Sequence, residues 1–119
     1  MAAEYARRIG RYCEFRMQQV AGEQALEGRA RTYTVVLDPG GRQLDSPELA
    51  RLVAKAEGAA VREMIFFVGG AEGCSGAARR ADLALSLSRL TLPHELARVV
   101  LAEQIYRAFT ILRGHPYAR

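Results

Sequence analysis

The chain has 119 residues, of which 50% are hydrophobic and 25% charged, the composition of one globular domain spanning residues 1–119. That balance excludes disorder, and no run reaches the ~18 to 20 apolar residues of a membrane-spanning helix or forms the apolar core of a secretory signal. The net charge of +4 rests on 17 cationic residues, all arginine except Lys55, which suits a polyanionic partner as well as it suits a plain compositional bias toward arginine.

Residues 4–9 read as the end of a helix. Residues 12–20 then alternate Cys13, Phe15 and Met17 against Glu14, Arg16 and Gln18, the period of a half-exposed strand near a sheet edge. Residues 33–37 form a β-branched and apolar run stopped by Asp38-Pro39-Gly40-Gly41, and residues 64–68 form a second apolar run stopped by Gly69-Gly70, so both predict buried parallel strands. Between them Ser46 is the expected N-cap and Pro47 the first helical residue. Leu49, Leu52, Val53 and Ala56 make one apolar stripe that ends before Gly58. Ser75 is placed to cap a short helix through Arg80, and residues 83–87 predict a third strand. A final helix over residues 94–113 carries Leu96, Val99, Val100, Ile105, Tyr106, Phe109 and Leu112 at helical spacing and is closed by Gly114 and Pro116. Alternation of strands and helices predicts an α/β fold with a mainly parallel sheet.

Local candidates for chemistry each have a plainer alternative. The Gly69-Gly70-Ala71-Glu72-Gly73 loop leaves the carboxyl end of a buried strand, where open α/β sheets bind ligands, yet it equally suits a tight turn. It matches neither the dinucleotide fingerprint nor a phosphate-binding P-loop. Cys74 stands before a helix start that would favour a thiolate, against the ordinary fate of a small buried cysteine. His94 at a helix N-terminus is expected neutral and suited to capping. Arg98, Glu103 and Arg107 fit a solvated helix face with an ion pair. Cys13 and Cys74 have no metal-ligand spacing, so no metal is expected and a reducing cytoplasm is the expected setting.

The C-terminal half taken as one string says more. Val68-Gly69-Gly70-Ala71-Glu72-Gly73 is followed by Leu85-Ser86-Leu87-Ser88-Arg89-Leu90-Thr91-Leu92-Pro93-His94. Then come Arg98-Val99-Val100-Leu101-Ala102-Glu103-Gln104-Ile105-Tyr106-Arg107-Ala108-Phe109 and the ending Gly114-His115-Pro116-Tyr117. This ordered set resembles the RlmH family of small SPOUT-superfamily methyltransferases, which modify N3 of a pseudouridine in bacterial 23S ribosomal RNA, and the likeness runs from about Glu4-Tyr5 onward.

The resemblance implies a homodimer with a deep trefoil knot in the C-terminal half and S-adenosyl-L-methionine as cofactor. It places the cofactor contacts at Leu37, Gly69, Leu87, Ser88, Arg89, Leu90, Thr91 and Leu92, and the polar groups of the reaction at His94, Glu103, Arg107, His115, Tyr117 and Arg119. The expected partner is 23S ribosomal RNA within the assembled ribosome, with neither membrane nor metal involved. Two departures accompany the likeness. The family's first strand and the start of its first helix have no counterpart before Glu4-Tyr5, and Ala118 stands where the family commonly has histidine. The alternative that these suggest is a reduced, catalytically weak knotted dimer that binds cofactor or RNA without efficient turnover.

Overall fold

The computed structural model describes residues 1–18, 22, 26, 28–69 and 80–117. Chain order is α1 (Ala2–Ile9), β1 (Thr32–Gln43), α2 (Ser46–Gly58), β2 (Glu63–Phe67), β3 (Leu83–Ser86) and α3 (His94–Arg113). The three strands form one parallel sheet in the order β2-β1-β3. The α/β expectation is met: three of the four expected strands, at residues 33–37, 64–68 and 83–87, overlap β1, β2 and β3, and the last helix lies where expected.

β1 is the central strand because its Val35 and Val36 can be buried on opposite faces at once, and both are wholly shielded from solvent. On one face Val35, Leu83 and Leu85 pack together with Leu37, Leu52, Met64, Phe66 and Leu87 against them. Above that layer Ile9 of α1, Leu49, Ala50 and Val53 of α2, and Leu101, Ile105, Ala108 and Phe109 of α3 close the main core. The opposite face carries Val36, with Leu26, Phe67 and Ala81 packed on it. Burying side chains of this size contributes about 1.5 to 3 kcal/mol each, which is why the apolar stripe of each helix turns to the sheet. β2 is an edge strand among the described residues, and all five of its residues are half-buried where a wholly buried strand was expected.

Three sequence expectations need correction. β1 does not stop at Asp38. It continues to Gln43, with residues 38–41 bulging out between the pairings of Leu37 and of Arg42 with the same Leu85. Gly41 permits this, since a Cβ there would lie 2.5 Å from the carbonyl oxygen of Ala84. The N-cap of α2 is Asp45, one residue before the expected Ser46. Its side chain accepts the Glu48 amide at 2.8 Å while Glu48 accepts the Asp45 amide at 2.8 Å, a reciprocal capping box. Residues 14–18 form no strand. The turn after α1, with Tyr12 and Cys13 amides bonded to the Ile9 carbonyl, sends the segment over the helical core, where Tyr12, Cys13 and Phe15 find apolar cover without any β ladder. The expected helix near Ser75 falls outside the described residues, as do Cys74 and the glycine loop beyond Gly69.

Candidate active site

The tail is turned back by the end of α3. Gly114 adopts a left-handed conformation (φ 67°), its amide bonds to the Ile111 carbonyl at 3.3 Å, and the His115 amide reaches the Thr110 carbonyl at 2.9 Å. Pro116 cannot continue the helix, so the chain returns along α3. The Tyr117 hydroxyl thereby donates to Glu103 Oε2 at 3.1 Å, fourteen residues back in sequence.

Glu103 is the hub. Its Oε2 also accepts from Arg107 Nη2 at 2.6 Å and Nε at 3.0 Å, and its Oε1 accepts from Gln104 Nε2 at 2.8 Å. Gln104 in turn accepts from the Ser46 hydroxyl at 2.6 Å, tying the first turn of α2 to the same network. Both members of the Glu103–Arg107 pair are largely shielded, which separates it from the solvated ion pair that the spacing alone suggested. Tyr117 is gripped from several sides, by the Arg107 guanidinium 4.7 Å from its ring centre and by Tyr106 edge-on at 4.8 Å. Burial, together with hydrogen bonds to Tyr5 and Glu103, pushes the Tyr117 phenol well above its ordinary range, so it stays protonated at neutral pH.

His115 is anchored separately. Its Nδ1 lies 2.6 Å from the Tyr12 hydroxyl, and Tyr12 stacks on Phe109 with ring centres 5.3 Å apart and planes nearly parallel. Ser46, Arg107, Thr110, His115 and Tyr117, with Ile111 and Pro116, line an open cleft of about 430 Å³. The structure thus brings Glu103, Arg107, His115 and Tyr117 together. It leaves His94 at the far end of α3, exposed and 3.4 Å from Glu95, with Pro93 in the cap position that the sequence assigned to the histidine. Arg98 pairs with Glu95 and stands apart from the cluster. Arg119 and Ala118 lie outside the described residues.

The expected cofactor residues gather elsewhere. Because all three strands run parallel, Leu37 at the end of the regular part of β1, Gly69 beyond β2 and Leu87 beyond β3 leave the sheet at one edge. Leu37 and Leu87 are half-buried and pack over the same core cluster, while Leu90 in the following loop is 76% exposed. That loop is braced by Ser86 and Ser88: the Ser86 hydroxyl donates to the Ser88 carbonyl, and the Ser88 hydroxyl accepts the Leu90 amide, both at 3.0 Å. Arg89 and Thr91 are exposed, and Ser88 and Leu92 half-buried. None of these residues lines the tail cleft.

Sequence reasoning missed Tyr5, Tyr12, Ser46 and Gln104. The one signal for the first two was their seven-residue spacing, which places both on the side of the N-terminal segment that meets α3. Among the described residues there is no group of three or more potential metal ligands, and no helix long and apolar enough to cross a membrane.

A family model described as "Predicted SPOUT methyltransferase" matches residues 1–118. Relatives bearing the name "Ribosomal RNA large subunit methyltransferase H" include one from Thermus thermophilus, 50% identical over 118 residues, which cover 98% of this chain and 84% of the relative. Another, from Geobacter metallireducens, is 45% identical over 130 residues (96% and 84%), and one from Solibacter usitatus is 42% identical over 122 residues (100% and 87%). With a shielded polar cluster at one end of the last helix, an apolar edge where three parallel strands finish, and a match along nearly its whole length, the chain belongs to the SPOUT methyltransferase family.

Proposed function

We propose that the chain transfers a methyl group from S-adenosyl-L-methionine to N3 of a pseudouridine in 23S ribosomal RNA, on the assembled ribosome, as a homodimer with a trefoil knot in its C-terminal half and residues 1–119 forming one domain. The observation that carries this reading is the return of the tail onto α3, which sets Arg107, His115 and Tyr117 around one cleft, with Glu103 bonded to Arg107 and Tyr117 behind its wall, in a chain of this family. Relatives named for large-subunit ribosomal RNA methylation, at 39% to 50% identity over nearly the full chain, support a working enzyme over a chain that binds without turnover.

The strand-end edge suits this cofactor. Leu37, Leu87, Leu90 and Leu92 offer apolar walls to a flat base, backbone groups of Ser88, Arg89 and Thr91 can meet its polar rim, and Gly69 leaves space for the amino-acid part. When bound, S-adenosyl-L-methionine supplies an electrophilic methyl group on sulfur. The chain's part is to orient the nucleotide in line, exclude water and stabilise the negative charge left as the N3 proton departs. Arg107, fixed by Glu103, places a permanent positive charge at the cleft wall. Tyr117, kept neutral, gives its O–H to Glu103 and holds that carboxylate and Arg107 in place, and His115 lines the same cleft.

Glu103 stands nine residues into α3, on the order of 14 Å along its axis from His94 and from the loop that feeds the helix. A dimer answers that separation: the tail of one protomer meets the cofactor edge, with His94, of its partner. The test is methyl transfer from labelled S-adenosyl-L-methionine to ribosomes lacking the modification, with nucleoside mass spectrometry to identify the product and Gly69→Val to block the cofactor. N3-methylated pseudouridine from the wild type and none from the variant is expected. No transfer by the wild type, or undiminished cofactor affinity in Gly69→Val by calorimetry, overturns the reading or the placement respectively.

A further inference from the structure

Many of the described cations have a carboxylate partner: Arg7 and Arg8 share Glu4, Arg29 meets Glu63, Arg98 meets Glu95, Arg107 meets Glu103 and Arg113 meets Glu57. Arg11, Arg16, Arg31, Arg62 and Arg89 form no ion pair with a described residue, and neither do Arg42, Arg51 and Lys55, but these last three are the ones that gather in one place. They line a second cleft, of about 250 Å³. Arg51 and Lys55 sit one turn apart on the same face of α2, and Arg42 approaches from the far end of β1, so three cations from two elements converge on one concavity.

Two carboxylates lie nearby, and both are committed. Glu48, in the cleft wall, closes the capping box of α2 through the Asp45 amide, and Asp82, beside Tyr33, accepts the Thr34 amide at 2.7 Å. Among the described residues Glu48 is the only acidic one in the wall, against three cations, so these residues carry an excess of positive charge. Tyr33, Leu44, Leu52 and Leu83 supply the rest of the lining, an aromatic and apolar floor under a charged rim. That combination fits a nucleic-acid backbone, whose phosphates repeat and whose sugars and bases offer flat faces, better than it fits a single small anion.

The place of the cleft strengthens the match. Ser46 at the start of α2 lines the tail cleft, while Arg51 and Lys55 lie five and nine residues further along the same helix, on the order of 8 and 14 Å away along its axis. Around the axis Arg51 and Lys55 stand about 140° and 180° from Ser46, so a strand with one nucleotide in the tail cleft reaches this rim within a few nucleotides by crossing the start of α2, a helix about 10 Å across. We infer that Arg42, Arg51 and Lys55 hold the phosphate backbone of the RNA strand whose target nucleotide enters the tail cleft, an inference that rests on reading the chain as an RNA methyltransferase.

The test compares wild type with Arg51→Gln/Lys55→Gln and with Arg42→Gln, all exposed positions. For unmodified ribosomes, KM rises about tenfold in the double variant and less in the single one, kcat at saturation and S-adenosyl-L-methionine affinity stay within about twofold, and the log–log salt dependence of ribosome binding flattens by about 1.4. Unchanged KM and salt slope in both variants overturn the inference while leaving the methyltransferase reading intact. Weakened ribosome binding with wild-type affinity for a labelled single-stranded RNA also overturns it, since the cleft would then meet an acidic protein. A wild type without methyl transfer defeats the functional reading instead, and the RNA-binding arm still decides the inference: weaker, less salt-sensitive RNA binding by the variants supports it, equal binding refutes it.

Discussion

At the scale of single residues, Glu103 shows how little of a site a spacing reveals. Glu103 and Arg107 are four apart on a helix, which any exposed ion pair satisfies, and only the returning tail and the Gln104–Ser46 link distinguish this one. The residues in the motif were legible through family likeness. Tyr12 and Ser46 were not, because their partners His115 and Gln104 lie 103 and 58 residues away, beyond any local pattern. Tyr117→Phe keeps the ring against Tyr106 and Arg107 but removes the hydrogen bond to Glu103, so methyl transfer at saturating substrate should fall on the order of tenfold or more with cofactor affinity unchanged. Equal rates in a single-turnover assay would detach the hydroxyl from the reaction. Glu4 offers a titration test. Hydrogen bonds from Arg7 and Arg8 hold its carboxyl down to about 2, so the folded chain resists protonation where the unfolded chain accepts it. The support that Glu4 gives α1 is therefore complete above its ordinary 4.5 and fades as pH falls toward 2, and carbon-detected NMR of the Glu4 carboxyl should report a midpoint near that lower value.

Among the elements, the long helix was the easiest to read: α3 begins and ends where its apolar spacing and Gly114 indicate. The start of α2 moved by one residue because Asp45 and Glu48 cap each other, which frees the Ser46 hydroxyl to reach Gln104. The misjudged segment at residues 14–18 shows that alternation measures half-burial and not pairing; Phe15 satisfies it by resting on helices. Asp45→Ala should cost about 1 kcal/mol in denaturant unfolding, the usual worth of an N-cap, and should also loosen Ser46 in the tail cleft. Gly41→Ala is expected to be worse than an ordinary surface change, at about 1 to 3 kcal/mol, because the added carbon meets the backbone of Ala84 and Leu85 with no side chain able to give way. It should weaken cofactor binding as well, since β3 carries Leu87 to the sheet edge. A thermal melt and a calorimetric titration on this variant that both match wild type would show that the bulge tolerates a Cβ.

For the molecule as a whole, the proposed composite site of a dimer gives the most demanding prediction. Homodimers carrying Gly69→Val, or lacking residues 117–119, should each be inactive. Subunit exchange between them creates one site with an intact edge and an intact tail, and partial methylation should return; verified mixed dimers without activity would place edge and tail within one protomer. The tail's own anchorage has an optical consequence. The chain contains five tyrosines and no tryptophan, and four of the five, Tyr5, Tyr12, Tyr106 and Tyr117, meet where α1, α3 and the tail come together. The tyrosine band of the near-ultraviolet circular dichroism of the unlabelled protein is therefore a report on tail docking, with Tyr33 as the single outlying tyrosine, and undocking the tail should flatten it while the far-ultraviolet helical signal persists.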